Sequence, residues 1–154
     1  MRKEINLVSL EHSEDKNLNK ILENLLHSKF RKKFHLKEKE VEYIRKKGIF
    51  EIEKHAQEFI EKRLKAPWLT GFKDGKQTPY KGHPVFIAQH ATATCCRKCM
   101  EKWHKIPQNK ILNYNDISFV KKLIMKWIKK ELSNYEKKSS RHSKTKRQKK
   151  NIYR

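Results

Sequence analysis

The chain carries none of the recognised catalytic spacings. Its 154 residues contain no His-Glu-x-x-His, no glycine-rich phosphate loop and no Gly-x-Ser-x-Gly, which leaves the mechanisms those motifs support without a footing. No apolar run approaches the roughly twenty residues of a membrane-spanning helix, so no membrane partner is expected. Glu11, Glu14 and Asp15 stand where a secretory leader would need an apolar core. Cysteine is scarce: three residues, an odd number and closely spaced, which is no disulfide framework. Adjacent Cys95 and Cys96 cannot bridge each other without strain. The expectation is a soluble, cytoplasmic protein with reduced thiols. No internal repeat is visible. Glycine and proline number only four each, and three of those glycines and two of those prolines fall between residues 65 and 82.

Acidic residues are also few. Seventeen Asp and Glu face 39 Lys and Arg, for a formal charge of +22. Such an excess favours polyanions, nucleic acid or another phosphorylated ligand first among them, with strong salt dependence. A genome biased toward Lys, Asn and Ile would give the same composition without a ligand. Hydrophobic and charged residues each make up 36% of the chain, so the core must be compact and its helices two-faced.

The apolar spacing is helical throughout. Leu18, Ile21, Leu22, Leu25 and Leu26 predict a helix from Asp15 to about His27, and Ser28 to His35 is a basic, aromatic connection. A second helix runs from Leu36 to Lys47 with Val41 and Ile44 inward, and Gly48 suits the residue past its end. Ile49 to Leu64 is the most periodic stretch, with Ile52, Ala56, Phe59, Ile60 and Leu64 on one stripe flanked by His55 and Arg63. Pro67 closes it and opens a long loop to Gly82. Pro84 to Trp103 reads as helical, in one piece or two. Asn115 or Asp116 caps a final helix through Tyr135. Residues 137–154 then hold nine Lys or Arg and no acid, a block that cannot bury enough surface to order itself. Trp103 and Trp127 are expected in the core, and Trp68 at the surface.

Residues 82–104 concentrate the chemistry, with every cysteine and three of the eight histidines. These are the soft and borderline ligands that transition metals prefer. On one helix from Thr94, about 100° per residue places Cys95, Cys96 and Cys99 on a common face and His104 off it. Cys96-x2-Cys99-x4-His104 matches the first part of a zinc knuckle, but no cysteine follows Cys99. The expected zinc set is therefore Cys96, Cys99, His104 and His90, with Cys95 as an alternative ligand. Two other readings stay open: buried structural thiols, and a reactive Cys–His arrangement whose thiol is activated by Arg97 and Lys98.

The loop before this segment offers Asp74, Lys76, Gln77 and Thr78. It is either a polar turn satisfying its own backbone or one wall of a pocket whose other wall is His83 and His90. The pocket would make Asp74, His83 and His90 the catalytic candidates, with Asp74 orienting a histidine. Lys76, Gln77, Thr78, His55 and Arg63 are then the ligand-binding candidates, the last two for a phosphate. Lys144, Lys146, Arg147, Lys149 and Lys150 are the tail cations expected on nucleic acid.

Longer phrases carry a resemblance. They include Ser28-Lys29-Phe30-Arg31 with Phe34-His35-Leu36, Tyr43-Ile44-Arg45 with Gly48, and His55-Ala56 with Phe59-Ile60 and Arg63-Leu64. Further on come Asp74-Gly75-Lys76-Gln77-Thr78-Pro79, Gly82 to Thr92, Thr94-Cys95-Cys96-Arg97 with Cys99, and Lys102-Trp103-His104 with Ile106-Pro107 and Trp127-Ile128. Over roughly residues 24–135 the chain resembles a bacterial family, domain of unknown function 4186. The resemblance implies no activity, and it does not extend to the basic tail.

The expected fold is all-α: one compact domain of four or five helices, residues 14–136, with an ordered loop at 65–82 draped across the Cys/His segment. An N-terminal extension, 1–13, and a disordered basic tail, 137–154, flank it. The leading function is zinc binding combined with contact to nucleic acid or a phosphorylated ligand. The alternatives are an enzyme (a hydrolase or group transferase using the His/Cys pocket) and a structural or interaction module with core cysteines.

Overall fold

The computed structural model describes the backbone of residues 7–71 and 75–152 and the side chains of residues 8–71 and 75–142. The described residues form seven α-helices and no strand: α1 Leu7–Leu25, α2 Glu38–Lys47, α3 Ile49–Phe59, α4 Pro67–Thr70, α5 Pro84–Ala91, α6 Arg97–His104 and α7 Tyr114–Ile152. A 3₁₀ turn, Arg31–Lys33, follows α1, and a π-helical turn, Ile60–Leu64, extends α3. None of these helices is long and apolar enough to cross a membrane.

The extra helices beyond the expected four or five have local causes. Pro67 closes α3's extension and, at the first helical position, opens α4. The segment 84–104 is two helices, because Ala93 takes a positive φ of 56° and reverses the chain between them. Gln89 and Thr94 hold that turn in both directions: Gln89 Nε2 donates to Thr94 O at 3.2 Å, and Thr94 N–H donates to Gln89 O at 2.8 Å. Helix α1 starts at Leu7, so part of the expected N-terminal extension is continuous with it; Val8 and Leu10 stay exposed there. The cap of α7 is Asn113. Its side chain accepts from Asp116 N–H at 2.8 Å, and the Asp116 carboxylate accepts from Asn113 N–H at 3.0 Å, which is a reciprocal capping box.

The core sits around α5, whose residues are all buried except Ile87. Helices α2, α3 and α7 pack against it, and Ile52, Ala56, Ile60 and Leu64 of the predicted stripe are fully buried there. Leu18, Leu22 and Leu25 of α1 close over Ala93 and Leu123, with Cys99 and Trp103 at the edge of that cluster. Each such leucine contributes about 1.5–3 kcal/mol by burial. Trp103 and Trp127, expected in the core, are half-buried at its edge, Trp127 against both clusters, and Trp68 is exposed, as expected. Glu131 of α7 accepts from Leu36 N–H and bonds His35 Nδ1, both at 3.0 Å, pinning the segment before α2.

Helix α7 runs on through residues 137–152, where the composition predicts a disordered tail. Lys, Arg, Ser and Gln are tolerated in helices and no glycine or proline interrupts them. Burial plays no part as far as the side chains are described, since Glu136 to His142 are exposed. The side chains of Lys144, Lys146, Arg147, Lys149 and Lys150 lie outside the described residues.

Candidate metal centre

The α5–α6 turn delivers the cysteines. Cys95 and Cys96 precede α6, and Cys96 is its N-cap, its sulfur accepting from Cys99 N–H at 3.4 Å. The helix turn that follows brings Cys99 back over the cap. All three sulfurs lie within 4.8 Å of one another. Cys95 and Cys96 are buried and Cys99 is half-buried.

A guanidinium faces them. Arg31, buried in the 3₁₀ turn, donates to Cys99 Sγ at 3.1 Å, to Cys95 Sγ at 3.5 Å and to the His90 carbonyl at 2.8 Å. Among the described residues it makes no ion pair with a carboxylate. A buried cation is held by hydrogen-bond acceptors or by a compensating anion, and among the described residues that Arg31 bonds, the sulfurs are the groups able to carry negative charge. Cys99 is that anion. Hydrogen bonds from the Cys95 and Cys96 thiols, then from Arg31, hold its pKa far below the ordinary thiol range. Cys95 is pushed up by donating to its neighbours and by burial. Cys96 receives a bond from Cys95 that lowers it, yet donation to Cys99 and burial leave it raised. Arg31 keeps its charge because these sulfur contacts outweigh the burial that works against it.

The resulting cluster of two thiols and one thiolate carries −1, matched by Arg31. A divalent ion bound by three thiolates also carries −1. Exchanging two protons for one divalent ion therefore leaves the buried charge balance unchanged, and the residues present fit such an ion.

The histidines of the expected zinc set stand apart. No histidine nitrogen among the described residues joins the three sulfurs within the same span. His104 Nε2 donates to Thr92 O at 2.7 Å. His90 Nε2 donates to Thr78 O at 3.2 Å and Pro79 O at 3.1 Å, leaving Nδ1 unprotonated, buried and unpartnered. Burial lowers the pKa of both residues. The set brought together is Cys95, Cys96 and Cys99, with Cys95 a full member.

The expected polar pocket takes another form. His83 Nδ1 accepts from Val85 N–H at 3.0 Å, so its proton sits on Nε2 and points to His55 Nδ1 at 2.9 Å. The His55 proton then lies on Nε2, 3.5 Å from Glu51. Burial and His55 push the His83 pKa down to about 4. Its ring touches Tyr43, His55, Phe59 and Phe86, while His90 stacks on Tyr80 and Phe34. The two rings stack on different aromatic side chains, and neither the hydrogen-bonded His83 nor the unpartnered His90 Nδ1 joins the three sulfurs within their span. Gln77 and Thr78 are buried rather than lining a cleft. Thr78 Oγ1 donates to Cys95 O at 2.7 Å and Arg63 donates to Gln77 O at 3.3 Å, so these residues clamp the loop onto the thiol turn. Lys76 is exposed, and Asp74 lies outside the described residues.

Arg97, expected to activate a thiol, points elsewhere. It donates to the carbonyls of Leu64, Lys65, Pro107 and Lys110. The activating residue is Arg31, 64 positions before Cys95. Its signal in the sequence was its identity. In a chain of 31 lysines and eight arginines, one arginine stands among Lys29, Lys32 and Lys33, and its rigid planar fork reaches separated acceptors better than an ammonium's compact charge does.

No solved structure matches the chain. The family model described as a domain of unknown function (DUF4186) matches residues 19–129, a span that holds Arg31, all three cysteines and α2 to α6, and the chain belongs to that family.

Proposed function

We propose that this protein is a metal-binding module in which Cys95, Cys96 and Cys99 hold one zinc ion, and that its basic surface contacts nucleic acid or another phosphorylated ligand. One observation carries the first part: three sulfurs converge beside a buried guanidinium that, among the described residues, has no carboxylate to balance it. Zinc suits the set because it is commonly held by cysteine thiolates, which are soft ligands. Bound there, the ion would tie α6 to the α5–α6 turn, or act as a Lewis acid through a fourth position that the sulfurs leave open. Arg31 holds the charge of the site constant, and Thr78 keeps the turn in place from the loop side. The second part rests on the formal charge of +22, which draws phosphates at long range.

Elemental analysis of the purified full-length protein tests the metal. About one zinc per chain is expected, dropping to near zero in Cys99→Ser, and chelation should lower the melting temperature because a structural ion adds folding free energy directly. Metal-free protein whose melting is indifferent to chelator would reassign the cysteines to the core.

A further inference from the structure

A second candidate site lies at the start of α5. A cavity of about 690 Å³ opens between α2, the segment joining the 3₁₀ turn to α2, and the start of α5. That volume is in the range of small-molecule sites. Its floor is aromatic and aliphatic: Phe34, Tyr43, Tyr80 and Ile87 line it. Tyr80 is exposed and lies flat on His90, with ring centroids 4.1 Å apart and planes 5° from parallel. Phe34 is within 19° of the Tyr80 plane. The rim is cationic. Lys33, Lys37, Lys39 and Lys81 surround the mouth, all four exposed, and none makes an ion pair among the described residues. Glu40 is the one carboxylate of the lining, and it accepts from Lys37 N–H at 2.9 Å, which commits it to the start of α2. Lys33 Nζ sits 4.5 Å from the Phe30 ring centre and 5.6 Å from that of Phe34, so positive charge is held at the edge of the ring floor.

A flat apolar floor inside a ring of ammonium groups matches a ligand that is aromatic at one end and polyanionic at the other. We propose that this cleft binds a nucleotide, with the base stacked on the ring floor and the phosphates among the rim lysines. The inference gives a place and a class to the phosphorylated ligand of the proposed function and rests on that part of it; it is independent of the metal. The locked His83–His55 pair supports it, since His83 lines the same cleft and stays neutral, so the four exposed lysines supply the positive charge that reads phosphate. A free nucleotide and one unit of a single strand share this chemistry.

Calorimetry on the full chain with ADP, adenosine and pyrophosphate, and anisotropy with a labelled single strand of roughly eight nucleotides, test it. ADP should bind one per chain, more tightly than adenosine or pyrophosphate alone. The double charge reversal Lys33→Glu with Lys81→Glu should weaken it roughly tenfold or more, as lost charge-assisted phosphate contacts do. Tyr80→Leu, which keeps an apolar group on His90, should weaken it by roughly tenfold through lost stacking. Reversing Lys144, Lys146, Arg147, Lys149 and Lys150 to Glu should leave ADP binding unchanged. A strand that binds more tightly than ADP and is released by the cleft variants also supports the site and names the strand as its source. Pyrophosphate binding as tightly as ADP would remove the base and overturn the proposal. Strand binding that responds only to the tail reversal would overturn the cleft while leaving the phosphorylated-ligand reading intact. Failure of ADP and strand alike would end both.

Discussion

Two buried arginines divide the molecule. Arg97 is 2% exposed and spends its guanidinium on four backbone carbonyls, Leu64 and Lys65 on one side and Pro107 and Lys110 on the other. Those acceptors cannot titrate, move or leave. Arg31 is buried to a similar degree, at 7% exposed, but two of its acceptors are sulfurs whose charge depends on protons or a metal. Equal burial thus supports opposite roles. A cation satisfied by neutral carbonyls is a rivet, whereas one satisfied by ionisable soft atoms makes its neighbourhood responsive. The π-helical turn belongs to the rivet. Its widened bond, Lys65 N–H to Ile60 O at 2.9 Å, ends α3 so that the Leu64 and Lys65 carbonyls reach Arg97, and Lys65 O also accepts from Leu112 N–H at 3.1 Å.

The largest effect should come from the rivet. Arg97→Met withdraws the guanidinium from four carbonyls, leaving buried Leu64 O without its Arg97 bond and Lys65 O with Leu112 N–H alone. Unsatisfied buried groups cost roughly 1–3 kcal/mol each, and partial hydration of the outer pair brings the expected total to about 3–5 kcal/mol, the top of the range for one substitution. Denaturant unfolding measures it. Arg97→Lys should recover little, because an ammonium cannot span both pairs of carbonyls. A loss below about 1 kcal/mol would break the distinction between the two arginines.

Arg31→Met should cost less in stability and more in chemistry. Without the cation, Cys99 takes up a proton, and three neutral thiols are acceptable core groups, so the metal-free protein should lose only about 1–2 kcal/mol. Zinc affinity should fall roughly 10- to 100-fold, as it does when a group supporting the ligands is removed, since the −1 site would be buried unbalanced. Metal-free protein also gives a pH signature. The Cys99 thiolate persists to low pH with Arg31 present, so alkylation should be nearly pH-independent near neutrality; in the variant the rate should rise with pH toward the ordinary thiol range. Competition with a chromogenic chelator and alkylation against pH provide the two readouts. Unchanged metal affinity in Arg31→Met would show that the sulfurs alone set the site.

Much of the scaffold was legible because it follows from local periodicity. Ile52, Ala56, Ile60 and Leu64 of the expected stripe are buried as spaced, with Phe59 half-buried at its edge, and Gly48 ends α2 at φ 86°, a conformation that favours glycine. The grouping of Cys95, Cys96 and Cys99 was legible from proximity in sequence, although not as one helix face. What escaped depends on contacts distant in the chain. Ala93 carries no sign that it will adopt a positive φ; Gln89, Thr92 and Thr94, all buried, stabilise that turn only once α1 and α7 enclose it. Arg97 beside two cysteines reads as their activator until the carbonyls of α3 draw it away. His90 and His104 have the right chemistry for zinc, but nearby carbonyls occupy their Nε2 atoms. Composition foresaw that residues 137–142 bury nothing, yet it could not say that their backbone would continue α7.

The smallest effect belongs to a site neither arginine reaches. His83 donates to His55 and accepts from Val85 N–H, an arrangement only the neutral ring can keep, since a second proton on Nδ1 would face another donor. Burial, then His55, lowers its pKa to about 4 from 6.5. The unfolded chain therefore binds a proton near pH 6.5 that the folded protein refuses until about pH 4. Stability from this residue is complete above pH 6.5 and declines as pH falls through that window. The decline should be on the order of 1–2 kcal/mol once solvent screening of a partly accessible pair is discounted. His83→Asn retains a side-chain acceptor for the α5 N-terminus while removing the titration. Its unfolding free energy, measured from pH 7 to pH 4, should fall less steeply than that of the parent. His90 and His104 are also held low by burial, so a residual slope of the same sign should persist. Parallel slopes in the two proteins would mean that His83 opens to solvent and titrates normally, and the neutral wall it gives the nucleotide cleft would have to be abandoned.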